Sequence, residues 1–401
     1  METVTIPETA VVDVLIVGAG LTGLALAPAL AHAGLTVALT DRACVAAYPE
    51  QSGDAEDDWD ARIYAISPGS AAYLRSIGAW QALPIERLTS VESMRIVGDE
   101  GSMLDFSAYQ EGERALAWIV EERSLRAALV PLVHGAGVTI LAPRAFTSVS
   151  WGKDWGELRF VDGARVRARL LVGADGVRSK VREAAGIGVR SHAYGQTGVV
   201  ANFTCERAHR GRAFQWFLGD GSVLAWLPLP GRRISMVWSA PIALAEALLA
   251  LDAETLSERV AAAGNQALGA LQNLGPATGF PLTYMRPRAT IGPRVALIGD
   301  AAHVVHPLAG QGVNLGLGDA AALTAVLRDR GPVRDPGAPI LLERYARRRV
   351  EPVLAMQAVT DGLAQLFGAR AVWVKRARNL GLAAFDRLPF AKRFLAQSAL
   401  R

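Results

Sequence analysis

The sequence predicts an α/β fold in which an antiparallel sheet interrupts a parallel one. Three observations predict it. An apolar run near the N-terminus passes into a glycine turn, a helical stretch and a second apolar run. Two later apolar runs also end in Gly and Asp. Between these motifs lie stretches of alternating residues broken by Gly-Asp turns.

Chain length and composition set the frame. The chain has 401 residues, 51% of them hydrophobic and 20% charged. Such a chain folds around a large core and is expected to divide into two or three domains. The net charge is +4 (42 minus 38). Cys44 and Cys205 form no CxxC pair, which fits a reducing compartment and two unremarkable thiols. Residues 14–40 contain no Asp, Glu, Lys or Arg. Their glycines, Pro28 and change of periodicity argue against a membrane span. Residues 1–10 hold two glutamates and no Lys or Arg, so a secretory leader is not expected.

The first element, "VVDVLIV" (11–17), suits a strand buried on both faces. Gly18, Gly20 and Gly23 follow as GxGxxG. The first glycine permits a tight turn. The second lets a pyrophosphate approach the backbone, and the third lets the helix pack close to the strand. The helix N-terminus, with Leu21 and Thr22 in its first turn, offers free N–H groups to phosphates. "TVALTD" then gives a second strand ending in Asp41, 18 residues past Gly23, with Arg42 next. That spacing suits a carboxylate on a ribose hydroxyl. The unit is Rossmann-like and expects a dinucleotide; alone it does not distinguish NAD from FAD.

"ARLLVGADGVRSKVRE" (168–183) repeats the strand-then-turn logic, with Asp175 in the turn and cations after it. "RVALIGD" ends a further buried strand at Asp300, placed to bond a ribityl or ribose hydroxyl. "HPLAGQG" then turns, and a helix is expected from about Val313-Asn314 to Gly331-Pro332. His303 and His306 with Asp300 are not expected to bind a metal, because they sit on an irregular turn without a third ligand nearby. His303 reads as a hydrogen-bonding residue under the strand and His306 as a pocket residue. No GxSxG and no paired catalytic carboxylates are present.

These motifs, together with "DARIYAISPGSAAYLRSIGAW" (60–80) and "LAWLPLPGRRISMVWS" (224–239), resemble the single-component FAD-dependent aromatic hydroxylases, and within them the ubiquinone-biosynthesis branch. The resemblance spans nearly the whole chain. It implies a Rossmann-like FAD-binding domain in three parts (1–86, 116–186, 287–332), a mostly antiparallel substrate domain in two (87–115, 187–286), and C-terminal helices (333–401). It implies hydroxylation of a polyprenyl phenol through a flavin C4a-hydroperoxide, with O2 as co-substrate and NAD(P)H as transient electron donor. It also implies roles: Arg62 near the FAD pyrophosphate, Arg123 near the adenosine half, and His306, Pro307 and Gly310 at the reacting end. Gly312, Val313 and Asn314 would complete the wall along the flavin ring. A base for the phenol is not named by the sequence. Trp216, Phe217, Trp226 and Trp238 read either as pocket walls or as core.

Residues 369–401 hold eight Lys or Arg against Asp386 alone, so +7 sits there and −3 on the rest. Aromatic residues interleave with these cations. The segment reads as a basic amphipathic surface for an anionic membrane or as a helix packed on the FAD domain. The resulting expectation is a cytoplasmic protein, peripheral on a membrane or in a complex with other quinone-biosynthesis proteins, binding no nucleic acid. Two alternatives stay open: a hydroxylase of a small soluble phenol, and a flavin-loaded subunit without turnover.

Overall fold

A computed structural model describes residues 11–46, 58–306, 312–331 and 333–368. Its first sheet runs, in spatial order, Ile291–Gly292, Val295–Leu297, Arg165–Gly173, Val11–Val17, Val37–Thr40 and Thr139–Ile140. The last five of these pair in parallel. A hairpin, Phe146–Trp151 and Gly156–Phe160, adds antiparallel strands alongside Arg165–Gly173.

The parallel order brings three strand tips side by side. Val17, Gly173 and Leu297 end neighbouring strands, although they are far apart in the chain. The glycine-rich turn, the Asp175 turn and Asp300 therefore open onto one edge of the sheet, where open α/β sheets bind ligands.

Helix Leu21–His32 is buried from Gly23 to Leu30, which accounts for its lack of charge. It packs against helix Gly312–Arg328 through Gly316, where a Cβ would stand 2.5 Å from Thr22 Oγ1. A helix of 30 residues, Pro339–Gly368, follows it. Tyr345 on that helix is fully buried and donates to the Leu297 carbonyl at 2.7 Å, tying the helix to the third strand. Among the described residues, no helix is long and apolar enough to cross a membrane.

The second sheet is mostly antiparallel. In order it holds Leu271–Asn273, Val189–Cys205, Arg233–Pro241, Val223–Leu229, Arg212–Phe217, Ser93–Val97 and Met103–Ser107, with Thr278–Pro287 also on Val189–Cys205. Its strands come from 93–107 and 189–287, between the segments of the first sheet. Two of its hairpins close at glycine turns, around Gly98–Gly101 and Leu218–Ser222. Trp216, Trp226 and Trp238 share one face, packed under helices Ile242–Leu249 and Ala253–Ala263 with Leu248, Leu256 and Val260. These three tryptophans are core and not pocket walls. A third sheet of Ile63–Ile66, Ala117–Glu121 and Thr89–Val91 lies between the larger two.

Because Tyr345 is sealed and its hydroxyl serves a single carbonyl, Tyr345→Phe leaves that acceptor without its partner. We expect a loss of about 1–2 kcal/mol in denaturant unfolding with an unchanged m-value. An unshifted midpoint would show that the Leu297 carbonyl finds another donor.

Candidate active site

The glycine turn is built by steric exclusion. Gly18 has φ +115°, and a Cβ there would lie 2.2 Å from the Ala174 carbonyl oxygen. A Cβ on Gly23 would lie 2.0 Å from the Gly18 carbonyl oxygen. Both positions close the first strand, its helix and the Arg165–Gly173 tip upon one another. Gly20 differs: it is exposed, and a Cβ there would meet nothing within 4 Å. The space beside it, at the N-terminus of Leu21–His32, is the cradle a diphosphate requires. This observation fits FAD independently of any relative.

The acids around the turn divide into those that shape it and one that faces outward. Asp41 accepts from the Ala19 N–H at 2.7 Å and from the Ala43 N–H at 2.9 Å, holding both sides of the loop. Asp175 accepts through Oδ2 from Lys180 and Val181 N–H, while its Oδ1 is buried without a partner. Asp300 stands at the third strand tip with its surface open to solvent, although protein atoms crowd it on most sides. That combination describes a crevice wall. Burial raises its pKa, with His303 and Arg62 opposing. Gly299 before it adopts φ +58°, and a Cβ there would press on Thr22 Oγ1 at 3.0 Å.

Arg62 reaches the same crevice. It pairs with Glu122 at 3.2 Å, lies 5.2 Å over the Phe280 ring, and acts on the Asp300 charge. Tyr64 donates to the same Glu122 carboxylate at 3.0 Å. Arg42, next to Asp41, is exposed. Arg123, expected beside an adenosine, pairs with Asp58 at 2.8 Å and Glu121 at 3.0 Å. The side chain that touches the glycine turn is one helical turn on. Arg126 donates to the Ala19 carbonyl at 2.9 Å and to Ala46 at 2.7 Å. The sequence carried a weak signal for it: Arg123 and Arg126 lie three apart on one helix, and only packing decides which faces the turn.

The Asn314 side chain is engaged within the protein. Its Oδ1 accepts from the Ser67 N–H at 3.0 Å and its Nδ2 donates to the Ala65 carbonyl at 2.8 Å. Its side chain joins helix Gly312–Arg328, whose first turn holds Gly312 and Val313, to strand Ile63–Ile66. Pro307 and Gly310 lie outside the described residues.

Beneath Asp300 sits a sealed polar cluster. Asp319 accepts from the Gly299 N–H at 2.9 Å and from Arg349 Nε at 2.6 Å, and contacts His303 Nε2 at 2.6 Å. Burial works to raise the Asp319 pKa, but the His303 and Arg349 interactions outweigh it and hold the carboxylate low. His303 is thus a hydrogen-bonding residue under the strand. Among the described residues, no group of His, Cys, Asp and Glu is arranged to hold a metal.

His306 is buried, bonds Gln196 Oε1 through Nε2 at 3.0 Å, and meets Tyr194 edge-on at 4.8 Å. Its Nδ1 has no hydrogen-bond partner among the described residues. Burial lowers its pKa to about 4, with Asp361 opposing.

The face of the second sheet opposite the tryptophans completes the cleft. Register pairs Val200 with Val237, Val237 with Ala225, Ala225 with Gln215, and Gln215 with Ile96. Cross-strand partners share a face, and so do alternate residues along a strand. Gln196, Gly198 and Val200 therefore share one face, and Gln196 on it bonds His306. Gly198 pairs with Phe280, the ring under Arg62. Val237, Ala225 and Ile96 are only partly buried, leaving an apolar floor. Phe217 lies on this face, buried, one row beyond. The geometry therefore offers a nucleotide cradle, a crevice at Asp300 and Arg62, and a flat apolar surface beside it.

The family described as "FAD binding domain" matches residues 11–362. The chain is 39% identical over 396 residues to the ubiquinone hydroxylase UbiL of Rhodospirillum rubrum, covering 97% of this chain and 90% of that one. It is 33% identical over 390 residues to the 3-demethoxyubiquinol 3-hydroxylase of Escherichia coli, covering 97% and 98%. Among solved structures, Pseudomonas aeruginosa PqsL in complex with 2-aminobenzoylacetate superposes with a TM-score of 0.76 at 25% identity, covering 93% of this chain and 99% of that one.

Two outcomes test the site. Gly20→Val should fold normally yet lose its flavin, whereas Gly23→Val should not accumulate as folded protein, because only the second Cβ meets backbone. Equal flavin content in Gly20→Val and the parent would remove the cradle. The second concerns His306. Its folded-state pKa lies below the unfolded value near 6.5, so protons favour the unfolded chain. Stability from this residue is complete above about pH 6.5 and falls by about 3 kcal/mol on acidification to pH 4. The stability gap between the parent and His306→Gln should shrink over that window; a gap that does not change with pH contradicts the buried neutral imidazole.

Proposed function

The chain belongs to the FAD-dependent aromatic hydroxylases of the ubiquinone-biosynthesis branch, and on that premise we propose that it hydroxylates the ring of a polyprenyl phenol. It is an FAD-dependent aromatic-ring monooxygenase. The observation that carries the substrate reading is the apolar floor of Val200, Val237, Ala225 and Ile96 beside the crevice of Asp300 and Arg62. A mostly apolar surface next to the cofactor crevice suits an aromatic ring and not a charged sugar or phosphate.

The chain's own residues bind, orient and exclude water. The cradle at Gly20 and the N-terminus of Leu21–His32 would hold the diphosphate, with Arg126 fixing the turn. Asp41, with a lone pair left on each oxygen, would take a ribose hydroxyl, and Asp300 a ribityl hydroxyl. Arg62 would balance phosphate charge at the crevice mouth. Bound FAD supplies the two-electron chemistry and the activation of O2, with NAD(P)H as the donor typical of such enzymes; the protein supplies position and dryness. His306 is held neutral by burial, so it places no cation against the reacting ring. We assign His306, Pro307 and Gly310 to the reacting end and Gly312 and Val313 to the wall beside it.

The phenol is held in a membrane or handed over by other quinone-biosynthesis proteins. In this reading the chain works at a cytoplasmic membrane face, with the +7 segment 369–401 toward anionic lipid. That segment lies outside the described residues.

Deleting the gene should cause a polyprenyl phenol lacking one oxygen to accumulate in lipid extracts. The purified yellow protein should place one atom of labelled O2 on that compound. An unchanged quinone profile in the deletion strain would reject the substrate class while leaving the flavin chemistry intact.

A further inference from the structure

We propose that Gln215 recognises an oxygen substituent of the aromatic substrate and sets which phenols the site accepts. This rests on the aromatic-hydroxylase reading and names the residue that reads the ring.

Gln215 is the polar member of the row Val200, Val237, Ala225, Gln215 and Ile96. It is only 4% exposed. Its side-chain amide makes no hydrogen bond among the described residues. One row away, Asn202 Oδ1 and Ser235 Oγ are sealed from solvent and also lack partners. The Gln215 amide is not sealed in that way. It is more than nine-tenths buried, makes no hydrogen bond among the described residues, and lies on the sheet face opposite the tryptophans. A buried amide without a partner costs about 1–3 kcal/mol, so the position favours whatever completes its hydrogen bonds.

The neighbours define what fits. Row Asn202, Ser235 and Leu227 runs toward the third sheet, with Leu227 packed on Ala65 and Ile119, closing the floor on that side. The other side is bounded by Phe217, Val223 and Ser239. Between these limits Ala225 is small, leaving room for a ring over Ala225 and Val237. Strands stand about 4.8 Å apart, so Gln215 lies about 10 Å from Val237 across the sheet. A six-membered ring with one oxygen substituent fills that span. Its opposite edge then faces Gly198 and Phe280, on the side of Arg62 and Asp300. Gln215 offers a donor and an acceptor together, so it can bond a phenol hydroxyl or a methoxy oxygen.

The test uses the FAD-loaded protein and a matched pair of probes: a short-chain prenylphenol and the prenylbenzene that lacks its hydroxyl. Binding is read from the change in the flavin visible spectrum, and turnover from product and hydrogen peroxide formed per NAD(P)H. The parent should bind the phenol about tenfold more tightly than the hydrocarbon, the worth of one net hydrogen bond. Gln215→Met keeps the volume and removes the amide. It should erase that preference, leave hydrocarbon affinity unchanged and divert more turnover to peroxide. Gln215→Asn, too short to reach, should behave likewise, guarding against a peculiarity of one variant. Retention of the full preference by both folded, flavin-loaded variants would overturn the role of Gln215 alone. Failure of the parent to bind either probe would overturn the phenol reading and this proposal with it.

Discussion

The architecture depends on one steric constraint, the approach of two strand tips to backbone contact. Gly18 and Ala174 stand so close that any side chain on Gly18 would occupy the Ala174 carbonyl. The same closeness brings Gly23 against Gly18 from the helix side. Because no side chain intervenes, the helix N-terminus sits directly over the sheet edge, and its N–H groups face the space beside Gly20. Small residues surround this contact, with Ala19, Ala25, Ala27 and Ala29 buried nearby, so the backbones close together and leave the cradle beside Gly20.

A second device holds the third tip in register with the first two. Asp319 gathers the Gly299 N–H, His303 and Arg349 around one buried carboxylate. Those partners come from a strand end, a turn and a distant helix. Removing one member of such a cluster leaves the others buried and unpaired, which is far more costly than any exposed ion pair. Tyr345 reinforces it from the helix Pro339–Gly368 by bonding the last residue of the strand. Asp300 is therefore displayed at the crevice by a rigid support, which suits a site whose task is orientation.

Much of this was legible in the sequence. The glycine spacing, the apolar runs and the acids at their ends identified three strand tips and their convergence on a nucleotide. The alternating runs broken by Gly-Asp turns identified antiparallel hairpins. The reading of His303 as a hydrogen-bonding residue also held, since its partner is the carboxylate of Asp319 sixteen residues on. Less legible were side chains whose role depends on which way a helix or strand is turned. Arg123 and Arg126 are equivalent in sequence, yet one faces Asp58 and the other the glycine turn. The Asn314 side chain braces Ala65 and Ser67, a contact that spacing in the sequence does not announce. The tryptophans of the second sheet lie on the helix-covered face, while Gln215 lies on the opposite face.

The sequence by itself determined the elements and their chemistry, because turn glycines, strand runs and strand-end acids are local demands that each short segment meets alone. It determined a dinucleotide as the cofactor for the same reason. Only the tertiary structure decided which residues share a face and which polar groups remain without partners. Those properties arise from register between strands more than a hundred residues apart, as between Ile96 and Gln215. A one-residue shift in that register would turn Gln215 to the tryptophan side of the sheet.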